Sequence, residues 1–160
     1  MIRGPQYKIA RRLGERIFPK TQTAKYAVRL AARAVPQRKK RGRGKTDYGA
    51  ALTEKQKVRL TYGMGERQFR AEVKRAHASG GANAAALLFS RLETRADNIL
   101  FRAGLAGTRA QARQMVSHGH TTVNGRKIRV PSHHLEAGDV LAVREASMKS
   151  TLFQNALERL

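Results

Sequence analysis

The side chains best suited to act on another molecule are Arg109 and Arg113, four residues apart, and Lys127 and Arg129, two apart. Four-residue spacing sets two side chains on one face of a helix, and alternate residues share one face of a strand. A guanidinium meets phosphate oxygens with paired hydrogen bonds, so the chemistry on offer is neutralisation of a charged backbone. Arg95 and Arg102 bring the candidate set between Leu92 and Glu145 to six, all expected to point outward. Six on so short a stretch suit a curved row of phosphates better than any small ligand.

Other chemistry finds no support. His118 and His120 flank a glycine and His133 and His134 are adjacent, so neither pair has the spacing of a helical zinc site, and there is no cysteine to complete one. Glu93 and Asp97 stand four apart, but Arg95 and Arg102 nearby make structural ion pairs the expected outcome rather than an acid–base couple. Gly42 and Gly44 lead into Lys45-Thr46, yet Asp-Tyr-Gly follows where a phosphate-binding loop needs an apolar helix. No candidate nucleophile or acid stands out in the first 90 residues. No enzyme, metal, cofactor or small-molecule substrate is expected.

The elements that must position these cations can be read locally. Leu92, Ala96, Ile99, Leu100 and Ala103 fall on one face of a helix, which Gly104 closes. Thr108 as N-cap and Gln111 three residues on form a capping box for a second helix. That helix buries Ala112, Met115 and Val116 and stops at Gly119. Asn124-Gly125 between alternating residues predicts a hairpin. One reading of the alternation puts Ile128 and Val130 on the core and Lys127 and Arg129 outside. Val140 to Arg144 is a last strand.

Arg95-Ala96-Asp97-Asn98, the run Thr108 to His118 and Val123-Asn124-Gly125 resemble the S4-type RNA-binding domain, in the version carried by the small-subunit ribosomal protein S4 family. Ala96 departs from the leucine usual in that family, which removes apolar volume and touches no charge. A second block resembles the same family: Asp47-Tyr48-Gly49, Leu52, Glu54 to Arg59, Tyr62-Gly63 and Glu66 to Arg70. In the family a Pro-Gly and His-Gly pattern precedes this block; here Pro36 remains, and the glycine and histidine do not match. Members from bacteria usually continue well beyond residue 160.

The resemblance implies an α+β fold, with a mainly helical N-terminal domain and a small S4-type (αL-like) RNA-binding domain of two helices and a short antiparallel sheet. It implies a structural constituent of the small ribosomal subunit that binds small-subunit rRNA early in assembly, at a junction of several helices. Neighbouring small-subunit proteins would be partners, as would messenger RNA along the path by which it enters the subunit. The RNA-binding set then takes in Thr108, Ser117 and His118 from the first block and Tyr48, Lys55, Lys57, Arg59, Arg67, Gln68 and Arg70 from the second. In the basic run Gln37 to Lys45, the cations Arg38, Lys39, Lys40, Arg41, Arg43 and Lys45 are the candidates for the messenger path. An exposed Glu66–Arg70 pair is the bland alternative for Arg70. The expected place is a cytoplasmic ribosome, an organellar one being the alternative. A stand-alone regulatory RNA binder is the second reading, although it leaves the Tyr48 to Arg70 block unexplained.

Charge points the same way independently. The net charge is +22 and the pI about 11.6, beyond the range at which nucleic-acid binding is suspected. The rival polyanion is a membrane surface, but no stretch approaches the ~20 apolar residues of a spanning helix. Absence of cysteine fits a reducing compartment. The Arg-rich start lacks the apolar core of a secretory signal, and the aromatic-bearing segments Tyr7 to Leu13 and Tyr26 to Leu30 favour mature protein over a transit peptide.

Four segments are expected: a basic N-terminal segment 1–46, a helical domain 47–90, the S4-type domain 91–146 and a helical tail 147–160. Residues 1–46 hold 15 basic residues against one acid, Glu15. Lys8 to Leu13 is a short helix, and Thr21 or Thr23 caps another running to Ala34. Thr53 with Gln56 predicts a helix from Glu54 to about Tyr62. A longer helix from Glu66 to Ser79 carries Phe69, Val73 and Ala76 as its apolar stripe, ended by Gly80-Gly81. Asn83 caps a short helix ending near Phe89.

Overall fold

The computed structural model describes residues 4–32, 46–79, 83–150 and 153. Arg38, Lys39, Lys40, Arg41, Arg43 and Lys45, the Gly80-Gly81 helix stop and most of the expected tail helix lie outside the described residues. The fold is α+β and mainly helical, with one small antiparallel sheet. It divides into two compact units, residues 1–66 and 67–160.

In the first unit, α1 (Gln6–Leu13) ends at Gly14, whose φ of 77° is open to glycine without a Cβ clash. A 3-10 turn at Pro19–Thr21 follows, then α2 (Ala24–Ala31), with Thr23 at the N-cap position but making no side-chain cap bond. Thr21 instead closes the preceding turn, its hydroxyl donating to the Phe18 carbonyl and accepting from the Phe18 N–H. Helix α3 (Asp47–Thr61) begins at Asp47 rather than Glu54. Thr46 is the effective cap, accepting from the Gly49 N–H, and Asp47 adds negative charge to the first turn. Thr53 lies inside the helix and donates back to the Gly49 carbonyl. Ala10, Leu13, Phe18, Tyr26 and Leu60 form the buried core of this unit.

Helix α4 (Glu66–Ala78) leads into the second unit and buries Phe69, Glu72 and Ala76. Asn83 caps α5 (Ala84–Glu93), which runs on past Phe89. The single helix expected from Leu92 to Ala103 is broken: α6 (Ala96–Arg102) starts anew after an extended Arg95. The backbone there bonds sideways, Ala96 N–H to the His133 carbonyl and Leu135 N–H to the Thr94 carbonyl. Long-range partners for these amides outweigh the local helical pattern, while Leu92, Ala96 and Leu100 all stay buried.

Helix α7 (Arg109–Ser117) precedes the strands β1 (Thr121–Val123), β2 (Arg126–Ile128) and β3 (Leu141–Val143). The order is β2-β1-β3, with Thr122 opposite both Lys127 and Ala142. Asn124 and Gly125 turn the hairpin at φ 50° and 77°. Ala96, Leu100, Ala112, Met115, Val116 and Phe153 are among the residues of one buried core, with Ile128 packed against it. Val130 does not join them: the strand ends at Ile128, and Val130 is 58% exposed. A four-residue helix, α8 (Glu145–Met148), follows β3. No described helix is long and apolar enough to cross a membrane.

Candidate nucleic-acid interface

Thr108 caps α7 as its sequence suggests, its hydroxyl accepting from the Gln111 N–H at 3.1 Å. Gln111 reaches back one residue further than a capping box requires, to the Gly107 N–H at 3.0 Å. This fixes the first turn of α7 and the place of Arg109 within it. The Arg109 Nε donates to Asn98 Oδ1 at 2.8 Å, and its guanidinium lies 4.5 Å from the centre of the Phe101 ring. One turn on, Arg113 donates through Nε and Nη2 to the same oxygen of Asp97, at 2.9 and 2.8 Å. Helix α6 thus presents two adjacent acceptors, Asp97 and Asn98, to two arginines of α7.

Arg95 does not point outward. It is 3% exposed and grips Asp97 with a fork of two bonds, 3.0 and 2.9 Å long. A buried guanidinium requires a counter-charge, and the equally buried Asp97 supplies it. Arg95 therefore holds in place the Asp97 carboxylate that also receives Arg113. Arg102 is exposed and forks onto Glu93, which also accepts from Asn98 Nδ2 at 2.8 Å. The ion pairs expected for Asp97 and Glu93 are both formed.

The strand cations behave differently. Arg126, Lys127, Arg129 and Arg144 are exposed, and none has an acidic partner among the described residues. The Lys127 amine is held below its ordinary value by the charge of Arg129 first, then by partial desolvation and by Arg144. Arg144 was not singled out in the sequence; it joins the group only because β3 pairs beside β1. Gly119, at φ 73°, leaves room for the Lys127 side chain beside the end of α7, where an added Cβ would run into its Cε. The exposed Ser117 and His118 stand at that same helix end. The Ser117 hydroxyl donates to the Gln114 carbonyl, and the His118 ring lies 6.0 Å from that of His120.

In the first unit, Lys55 and Arg59 converge on Glu66, whose partner is not Arg70. The Glu66 carboxyl is held below its usual range by the Lys55 hydrogen bond first, with the Lys55 and Arg59 charges adding to it. Lys57 bridges Glu15 and Glu54 at 2.8 Å each, and those bonds raise its pKa. Tyr48 is 76% exposed on the first turn of α3. In the second unit, Arg67, Gln68 and Arg70 lie exposed on α4. Sequence reading missed Glu72, which is 4% exposed and takes Arg75 and Arg91 at 2.8 Å each. Its place between Phe69 and Ala76, on the apolar side of α4, was the available signal. No group of three or more histidine, aspartate or glutamate side chains among the described residues is arranged to hold a metal.

Two family models match the chain in order: the ribosomal protein S4/S9 N-terminal domain over residues 1–93 and the S4 domain over residues 94–141. Among similar curated proteins is the small ribosomal subunit protein uS4 of Roseiflexus sp. (strain RS-1), 46% identical over 98% of this chain and 75% of the relative. The uS4 of Teredinibacter turnerae is 43% identical over 96% of this chain and 75% of its own length. That of Enterococcus faecalis is 42% identical over 97% and 75%. With both domain models matched in sequence order and such identity along nearly all its residues, the chain belongs to the ribosomal protein S4 family.

Proposed function

We propose that this chain is a structural, non-enzymatic component of the small ribosomal subunit that binds small-subunit rRNA early in assembly, at a junction of several helices. In this reading residues 91–146 carry the principal RNA surface, 47–90 form the supporting helical domain, and 1–46 and 147–160 flank them. The cations of residues 38–45 border the path by which messenger RNA enters, and neighbouring small-subunit proteins complete the contacts.

The observation that carries the reading is the contrast within the second unit. Arg109 and Arg113 are positioned by Asn98 and Asp97, whereas Lys127, Arg129 and Arg144 gather beside the end of α7 with no described carboxylate among them. Arginines already held in place lose little freedom on meeting phosphate and so carry most of the affinity, while the uncompensated cluster beside them adds a more general attraction for a polyanion. Folded RNA offers backbone and 2′-hydroxyls to such a surface, so recognition works by shape and charge.

The test is binding of a small-subunit rRNA transcript at several salt concentrations. Exchanging Arg109 and Arg113 together for glutamine is expected to weaken binding more than the same exchange at Arg126 and Arg144. Loss of two phosphate contacts also lowers the slope of log affinity against log salt by about 1.4–1.8. Equal losses from the two pairs would reduce α7 to a generic basic surface. Co-sedimentation with the small subunit through a salt-containing gradient separates a ribosomal component from a regulatory RNA binder, which would stay near the top.

A further inference from the structure

We infer that the hollow between α1 and α2 is a seat for one unstacked nucleotide of RNA, its base against Tyr7 and its phosphate held by Arg11 and Arg29. The hollow measures about 350 Å³ and is lined by Tyr7, Arg11, Tyr26, Arg29 and Leu30. None of these residues belongs to the S4-type surface described above.

The geometry combines the two groups that unpaired nucleotides need. Tyr26 is 4% exposed and anchored in the core of the first unit. Against it leans the half-buried Tyr7, with ring centres 5.1 Å apart and planes tilted by 49°. The Arg29 guanidinium sits 5.7 Å from the centre of the Tyr7 ring, and Arg11 bonds through Nε to the Tyr7 carbonyl at 3.3 Å. Both arginines are exposed, so their cationic ends are held near the hollow by weak contacts and can swing to an incoming anion. The position of Arg29 marks the ring face that lies open. A flat base takes the place of the guanidinium there, and Arg29 moves to the phosphate.

Other ligand classes fit less well. Two guanidinia at the rim disfavour a purely apolar ligand. Glu15 is the only acid in residues 4–32, and it is engaged by Lys57, so nothing at this end repels an anion. An acidic peptide satisfies the arginines but leaves the tyrosine face unused. RNA recognition outside helices relies on splayed bases lying on aromatic rings and on arginine planes. Because every base has a π-face, the seat selects an unpaired position rather than a particular base.

The inference rests on the reading that this chain binds rRNA, and the test keeps the two apart. The full chain is bound to a small-subunit rRNA transcript carrying 4-thiouridine, irradiated and digested, and its nucleotide-bearing peptides are identified by mass spectrometry. The expected result is an adduct on the peptide that contains Tyr7, lost when Arg11 and Arg29 are both replaced by alanine. Tyr7→Leu keeps apolar packing without the π-face and is expected to bind the transcript about tenfold more weakly at an unchanged melting temperature. If Tyr7→Leu unfolds, the Arg11/Arg29 double substitution on exposed side chains still decides. Full-strength binding with adducts only elsewhere, undisturbed by that double substitution, overturns the nucleotide seat and leaves the rRNA reading standing. A chain that does not bind the transcript overturns both.

Discussion

Asp97 is the carboxylate on which the arginine face depends. It is 2% exposed, it neutralises the buried Arg95, and it takes Arg113 on an oxygen it shares with Arg95. Removing it strands a guanidinium in the interior, and breaking a buried pair from one side costs about 3–5 kcal/mol. Asp97→Ala is therefore expected to lower the stability of the chain by about that amount in a urea titration. Asp97→Asn retains the shape and part of the hydrogen bonding, so it should fall between wild type and alanine. Arg102→Ala, at an exposed pair with Glu93, should change stability by less than about 1 kcal/mol. If the alanine variants at 97 and 102 melt alike, Asp97 is no keystone. Arg95, Arg102, Arg109, Arg113, Lys127 and Arg129 look equivalent in the sequence because residue type and spacing carry no information on burial. Arg95 sits two residues before the aspartate that neutralises it, which the sequence displays, but its inward position follows from the break between α5 and α6.

At the scale of elements, that break depends on the segment after the hairpin. The backbone at Thr94 and Arg95 bridges to His133–Leu135, and the Thr94 hydroxyl lies 3.1 Å from His134 Nδ1. Burial holds the His134 pKa below its ordinary 6.5; Glu72 pulls it up, while Arg91, Arg95 and Arg75 press it down further. A histidine depressed in the folded state is more easily protonated when unfolded. Its contribution to stability is thus complete above 6.5 and is lost as pH falls from there through the depressed value. Wild type is expected to lose stability between pH 6.5 and 5, measured as the urea midpoint, and His134→Gln to lose less over the same interval. Parallel curves for the two proteins would remove His134 from that role. Most elements were legible locally: the hairpin from Asn124-Gly125, α7 from Thr108, and α5 from its Asn83 cap. The start of α3 was not, because both Thr46 and Thr53 are capping residue types and only the folded helix shows which one accepts from its N–H groups.

For the molecule as a whole, charge sets the balance. A chain at +22 repels itself, and added salt screens that repulsion. The same salt weakens binding to a polyanion by restoring its counterions. Raising sodium chloride from 50 to 500 mM should therefore raise the melting temperature of the free chain while lowering its affinity for the rRNA transcript. Saturating RNA at low salt should raise the melting temperature by mass action. A melting temperature that falls with salt would mean that specific ion pairs, such as those on Glu66 and Glu72, outweigh the global repulsion.

The sequence by itself determined the charge, the exclusion of cysteine chemistry, the hairpin, most helices and the family, because these rest on composition and on contacts within a few residues. Tertiary structure alone decided which cations are committed. It turned Arg95 inward, gave Lys55 and Arg59 to Glu66, hid Glu72, and gathered Lys127, Arg129 and Arg144 around the end of α7. Those outcomes depend on which distant segments meet and how much water they exclude, and neither is written in the spacing of charges along the chain.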